Sequence, residues 1–351
     1  MMTDELFVLS LGLLLASIVH WAVKRLPDER WQFLASVPIV KDARGHWHGL
    51  NFTYYGLLTA NALVFGVALL IVLFGALHIP TTLALSVILV VLSVCLPAAK
   101  WIARVVERKP CTFTIAGAFF VGILAAPGVI YCFNTFLPSL GVRPIPVIPA
   151  LAAVLIAYSF GEGLGRLACI SFGCCYGALL SEAHPLVQRL FDQWHFTFSG
   201  KMKKISYASA MDGKRVIPIQ AVTAVMYLTV GLVSLLLFLY ARFTAAFVLT
   251  MIVTQGWRAL SETLRADYRG GGKTSAYQIM GLLAILFALT MSVFTSASAS
   301  SKPDLLTGLE TVWHPVMVIL LQGLWAVIFL MFGKSMVTGA EISFHLREDR
   351  I

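Results

Sequence analysis

Two arginine-bearing stretches hold most of the chemistry open to this chain. The first, Ser159 to Gly177, closes a membrane-length apolar run, yet it contains Arg166, Glu162, three cysteines and five glycines. Glycines let helices and lipid-like ligands approach closely. An arginine at the edge of hydrocarbon is costly unless it snorkels to the interface or meets an anion. The second stretch, Gln255 to Asp267, sets Arg258, Glu262 and Arg265 at i, i+4 and i+7, which is one face if the helix persists. An arginine fork suits a phosphate, and a glutamate can orient that fork or move a proton. Taken alone, this group is more simply an interfacial charge cluster that ends a span. With Arg166 on the same membrane face, two arginines from separate helices form a clamp for one phosphodiester headgroup.

The cysteines are candidate metal ligands. Cys169, Cys174 and Cys175, with His184 as a fourth, offer soft donors, but they lack the Cys-x-x-Cys knuckle, and adjacent cysteines do not easily share one ion. The same spacing disfavours a redox pair. The sequence reading is therefore close packing, with no metal and no cofactor. Tyr54-Tyr55-Gly56-Leu57 opens another span on the same face, where tyrosines ordinarily anchor at the interface. Thr112 to Gly122 opens a further one, its small residues suited to helix packing.

The elements that position these residues are membrane spans. Of 351 residues, 59% are hydrophobic and only 12% charged, the composition of a polytopic all-α membrane protein. At roughly 20 apolar residues per crossing, nine spans are predicted, near 6–23, 53–77, 81–103, 113–137, 145–164, 218–241, 244–261, 275–296 and 313–333. The first follows acidic Asp4 and Glu5 with no small-residue cleavage pattern after it, which argues against a signal peptide. A polar loop, Lys24 to Leu50, carries Trp31 and Trp47 as interfacial anchors. Residues 178–217, between spans five and six, are too polar to cross. They read as a surface head with an amphipathic stretch, Pro185 to His195, and a hairpin at Asp212-Gly213. No repeat and no soluble domain is visible.

The net charge of +9 does not signal nucleic acid in such a chain; basic residues here report topology and anionic lipid. Connections on one side carry only Arg143, Arg242 and Lys302, and the other 23 of 26 basic residues lie toward the head. By the positive-inside rule alone, that asymmetry would make the head side cytoplasmic.

In order and spacing these pieces resemble the prolipoprotein diacylglyceryl transferase family. Tyr54-Tyr55-Gly56-Leu57 matches the family's Trp/Tyr-Tyr-Gly-Leu, and Ala116-Gly117 through Gly122 matches its glycine-rich span opening. Gly165, Arg166, Gly173 and Gly177 fall in place in its signature Gly-Arg-x-Gly-Asn-Phe-x-Asn-Gly-Glu-x-x-Gly. Pro218-Ile219-Gln220 matches Pro-x-Gln, Arg258 to Arg265 matches Arg-x-x-x-Glu-x-x-Arg, and Gln278 matches a later glutamine. The resemblance covers residues 51–296, seven of the nine spans with the head at 178–217. It leaves 1–50 and 297–351 as additions, each with one span.

The resemblance implies a multi-pass enzyme of the bacterial cell membrane that moves a diacylglyceryl group from phosphatidylglycerol to a cysteine thiol of a lipoprotein precursor. Arg166, Arg258 and Glu262 would be catalytic. Tyr55, Gly117, Gly165, Gly173, Gly177, Gln220 and Arg265 would line the substrate site. The nucleophile would belong to the acceptor. The resemblance also implies a site facing away from the cytoplasm, opposite to the charge asymmetry. The sequence departs from the family at Ile115-Ala116-Gly117, where the family has His-Gly-Gly. It departs again at Ala168, Cys169 and Cys174 within the signature, and at Ala221-Val222-Thr223, where the family has Leu-Tyr-Glu. These losses of polar groups lower the expected activity and leave a non-catalytic phospholipid-binding or scaffold protein of the same fold as the alternative. A transporter is disfavoured, because no ionisable residues pair near mid-span.

Overall fold

The computed structural model describes residues 2–106, 114–266, 274–295 and 302–351. The chain begins with α1 (Met2–Arg25), β1 (Phe33–Lys41), β2 (Trp47–Thr53), α2 (Tyr54–Ala76), α3 (Thr81–Val106), α4 (Ile115–Phe136) and α5 (Val147–Phe172). The head follows as α6 (Pro185–Phe191), β3 (Phe196–Thr197), α7 (Lys204–Ser209) and β4 (Arg215–Val216). The chain ends with α8 (Ile219–Leu239), α9 (Phe243–Ser261), α10 (Ala276–Phe294), α11 (Leu305–Trp313), α12 (Pro315–Phe332) and β5 (Lys334–Ile342). Among the described residues nine helices are long and apolar enough to cross a membrane, as expected from the composition. Cys111, Thr112, Phe113, Asp267 and residue 296 lie outside the described residues.

The central helix is α5. It packs along α2 on one side and along α8 and α9 on the other, and 72% of its apolar window is buried, against 6% for α12. Small residues allow this. A side chain at Gly66 would lie 3.2 Å from the carbonyl oxygen of Ala157, and Gly161 faces Ala62 in return. Gly161, Gly163 and Gly165 explain why the sequence reading ends this span at 164, whereas the helix runs to Phe172. Glycine costs a helix about 1 kcal/mol per residue in isolation, but here it is the contact surface. The helix therefore carries Glu162 and Arg166 within it.

The expected polar loop is instead part of a three-stranded antiparallel sheet, ordered β1-β2-β5, that joins the two ends of the chain. Lys41 pairs with Trp47 and His48 with Glu341. The β1–β2 turn is set by Asp42, whose carboxylate accepts the backbone N–H groups of Arg44 and His46 at 2.9 and 2.8 Å, and by Gly45 at φ +88°. The His46 N–H is the main cause holding the Asp42 carboxyl below its ordinary value. The C-terminal part of the chain, through α11, also clasps α2: a side chain at Gly308 would lie 2.2 Å from the carbonyl oxygen of Val72.

The head packs Phe196, Phe198, Ile205 and Val216 against Leu167, Ile170 and Tyr176 beneath it, and against Ala22 and Leu26 of the α1 end. Asp212-Gly213 does not make the expected tight hairpin, since the paired strands are two residues each and α7 lies between them. Asp212 instead accepts from Gly200 N–H at 3.2 Å, and Gly213 donates to the Phe198 carbonyl at 3.0 Å.

Candidate functional site

Glu162 sits at the middle of the site. One turn later on α5, Arg166 binds its Oε1, and from α9 Arg258 Nη2 reaches the same oxygen at 3.1 Å. The three side chains are 4%, 12% and 9% exposed. Arg258 Nη2 also donates to the Tyr158 hydroxyl at 2.7 Å. Two guanidinium groups share one carboxylate, so the cluster keeps one positive charge in excess. The Nε–H groups of both arginines are buried with no hydrogen-bond partner among the described residues. Buried charges need such pairing, and an excess cation with unused donors is suited to an anion that brings acceptor oxygens.

The spacing puts Arg258, Glu262 and Arg265 on one face of a continuous helix, but α9 stops at Ser261 and continues as a 3-10 turn over Glu262–Leu264. Arg265 is extended, so Arg258, Glu262 and Arg265 do not share a helix face. Glu262 faces Arg265 at 3.9 Å, with 6% and 7% of their side chains exposed. The Glu162–Arg258 pairing, and the role of Tyr158, escaped the sequence reading. Glu162 stands four residues before Arg166 in an otherwise apolar helix, and an acid there is expensive without a cation on its face. That was the signal available.

The turn that follows α5 meets the end of α9. Ala178 N–H donates to the Leu264 carbonyl at 2.9 Å, Ala266 N–H donates to the Tyr176 carbonyl at 3.2 Å, and Gly177 bridges to Arg265. Gly177 is required by this crossing, since a side chain there would lie 2.4 Å from the Ile217 carbonyl oxygen. Gly173 caps α5 at φ +68°, a conformation that favours glycine. Gly165 faces open space. Tyr55 packs its ring on Phe172 at 5.4 Å, beside the three cysteines and Arg166.

Other expected members stand apart or act indirectly. Gly117 packs at the α4 cap against Ile102 of α3. Gln220 donates to the Cys174 carbonyl at 2.9 Å and so holds the cysteine turn. Gln278 caps α10 with Ser275 and donates to the Ala259 carbonyl at 3.0 Å. The three cysteines separated in sequence come together in the fold: the sulfurs of Cys169, Cys174 and Cys175 all lie within 4.8 Å of one another.

Beneath the head, Lys203 is fully buried and donates from Nζ to the carbonyls of Ser171 at 2.6 Å and Leu26 at 3.2 Å. These oxygens end α5 and follow α1, so one ammonium ties the head to two helix C-termini. Burial lowers its pKa to about 8.

Fold and site together define a multi-pass helical membrane protein with a buried, excess-positive ion cluster beneath a small surface head. No protein-family model and no curated protein matches the sequence.

Proposed function

We propose that the protein binds the phosphodiester of an anionic glycerophospholipid at Arg166 and Arg258 and transfers its diacylglyceryl group to a cysteine thiol, as the resemblance to the prolipoprotein diacylglyceryl transferases implies. Phosphatidylglycerol is the donor of this reading, a lipoprotein precursor in a bacterial cell membrane the acceptor. The observation that carries it is the pair of arginines from α5 and α9 meeting on one carboxylate with a positive charge to spare.

The acceptor thiolate attacks the glyceryl carbon that bears the phosphate. The carbon–sulfur bond forms as the carbon–oxygen bond breaks, and the electron pair leaves with glycerol phosphate. Two guanidinium groups beside the departing phosphate stabilise its charge in a site shielded from water. Glu162 holds both forks in place. The Glu262–Arg265 pair lies where α9 meets the head and positions the polar headgroup. Tyr55 and Gly165 border the lipid, whereas Gly173, Gly177 and Gln220 shape the turn beside it. Gly117 contributes through α3–α4 packing.

The test is transfer from phosphatidylglycerol in vesicles to a peptide carrying an acceptor cysteine. Arg166→Ala or Arg258→Ala should lower the rate by about 10²–10³-fold, the usual loss for one preorganised donor. Arg258→Lys keeps charge but not the fork and should also be impaired. Ile115, where the family has histidine, favours a second reading, in which the site binds phospholipid without turnover. Bound phosphatidylglycerol with no transfer by the wild type would establish that reading; no arginine-dependent lipid binding would sink both.

A further inference from the structure

We propose that Cys169, Cys174 and Cys175 form a binding site for one Cu(I) ion, held by three thiolates. Cys169 lies in the last turn of α5, and the chain then reverses through Gly173 at φ +68° and Cys175 at φ +55°. Positive φ is uncommon for a residue with a side chain. The two left-handed residues flank Cys174 and turn both adjacent cysteines back onto Cys169. This removes the objection that neighbouring cysteines do not easily share an ion, because the third donor comes from the preceding helix.

The dimensions suit a metal. Bonds of about 2.3 Å to sulfur in a trigonal plane put the sulfurs about 4 Å apart, and the three lie within 4.8 Å of one another. Thiolates select soft ions such as Cu(I) and Zn(II). Structural zinc takes four ligands, whereas no histidine or carboxylate among the described residues joins this group. Three soft donors complete the shell of Cu(I). Binding breaks three S–H bonds, forms three Cu–S bonds and releases three protons, with no change in oxidation state when copper is supplied as Cu(I). The resulting negative site has a counter-ion in reach, since Arg166 precedes Cys169 by three residues on α5 and so projects from the same side.

The surroundings are organised for it. Cys174 is buried, and Cys169 and Cys175 are partly buried. Gln220 fixes the backbone of the turn through the Cys174 carbonyl. That bond holds the turn that presents Cys174 and Cys175 to Cys169. Cys95 and Cys132, the other described cysteines, are outside the group. The site does not depend on the transferase reading.

Titration of the full chain in detergent with Cu(I), anaerobically and against a chromophoric Cu(I) chelator, should show one tightly held equivalent. Copper K-edge absorption should show sulfur-only coordination by three neighbours. Cys169→Ser, Cys174→Ser and Cys175→Ser should each remove that equivalent, while a variant with Cys95→Ser, Cys111→Ser and Cys132→Ser keeps it. Gln220→Leu, which releases that turn, should weaken binding. Wild-type protein that yields its copper to the chelator, although all three thiols react with an organomercurial, would overturn the site irrespective of how the variants fold. Unchanged binding by Cys174→Ser, or preferential four-coordinate Zn(II), would also overturn it.

Discussion

A carboxylate within a membrane helix is tolerated only with partners, and Glu162 has two, Arg166 from its own helix and Arg258 from α9. Removing the common partner leaves two buried cations facing each other, a cost on the order of 3 kcal/mol. Glu162→Gln preserves the shape and should destabilise the protein by about that amount, seen as a lower melting temperature in detergent. If the cluster is an anion site, a phosphodiester replaces the lost carboxylate. Short-chain phosphatidylglycerol should therefore raise the melting temperature of Glu162→Gln more than that of the wild type. A neutral lipid of equal chain length should not. Equal effects of both lipids on both proteins would refute the anion site. Arg258→Ala, which removes the fork, should abolish the selective response.

Among the elements, the head is held over the site by Lys203, which reaches the carbonyls of Ser171 and Leu26 at 2.6 and 3.2 Å. Its pKa falls from 10.5 to about 8 because its charge is desolvated. Below about pH 8 both folded and unfolded chains hold the proton, and the cost of burying the charge is fully present. Between about 8 and 10.5 the unfolded chain keeps the proton that the folded one has released, so this lysine makes stability rise with pH in that window. Lys203→Met should remove the rise, measured as melting temperature at pH 7.5 and 9.5 against the wild type. It should also lower stability at neutral pH, because two buried carbonyls lose their donor.

The same elements show what a sequence makes legible. Spans were readable because a bilayer demands about 20 apolar residues whatever the tertiary contacts. The end of α5 was not, because Gly161, Gly163 and Gly165 break helices on propensity but serve as contact surface or face open space here. The Arg258–Glu262–Arg265 face was lost to a single 3-10 turn. The meeting of Cys174 and Cys175 with Cys169 depended on a positive φ at Cys175 that no residue type announced. The β2–β5 pairing joins residues nearly 300 apart, for example His48 with Glu341, which local periodicity cannot anticipate. Arg166 was legible because a lone arginine at the end of an apolar span needs an explanation.

At the scale of the whole molecule, the two membrane faces differ sharply in charge and in contents. One face holds the start of α1, where Lys302 meets Asp4 at 3.1 Å and Tyr240 donates to Glu5. The other holds the head, the β1-β2-β5 sheet and the ion cluster. Arg258 and Lys203 are buried, and Arg166 and Arg265 are largely so. Among the described residues, setting these four aside still leaves most of the remaining lysines and arginines on the head face. The asymmetry is therefore a property of the surface as well as of the arginine cluster, and by the positive-inside rule it predicts a cytoplasmic head. Lys214 is exposed on the head. In intact cells, Lys214→Cys should add no labelling by an impermeant maleimide over the wild type, and should label strongly once the membrane is permeabilised. Labelling of intact cells would instead give the outward orientation that the family resemblance implies. The outcome bears directly on the acceptor: with the head inside, a thiol substrate must reach Arg166 and Arg258 from the cytoplasmic side. In sealed vesicles of known orientation, transfer should then require peptide on the head side alone.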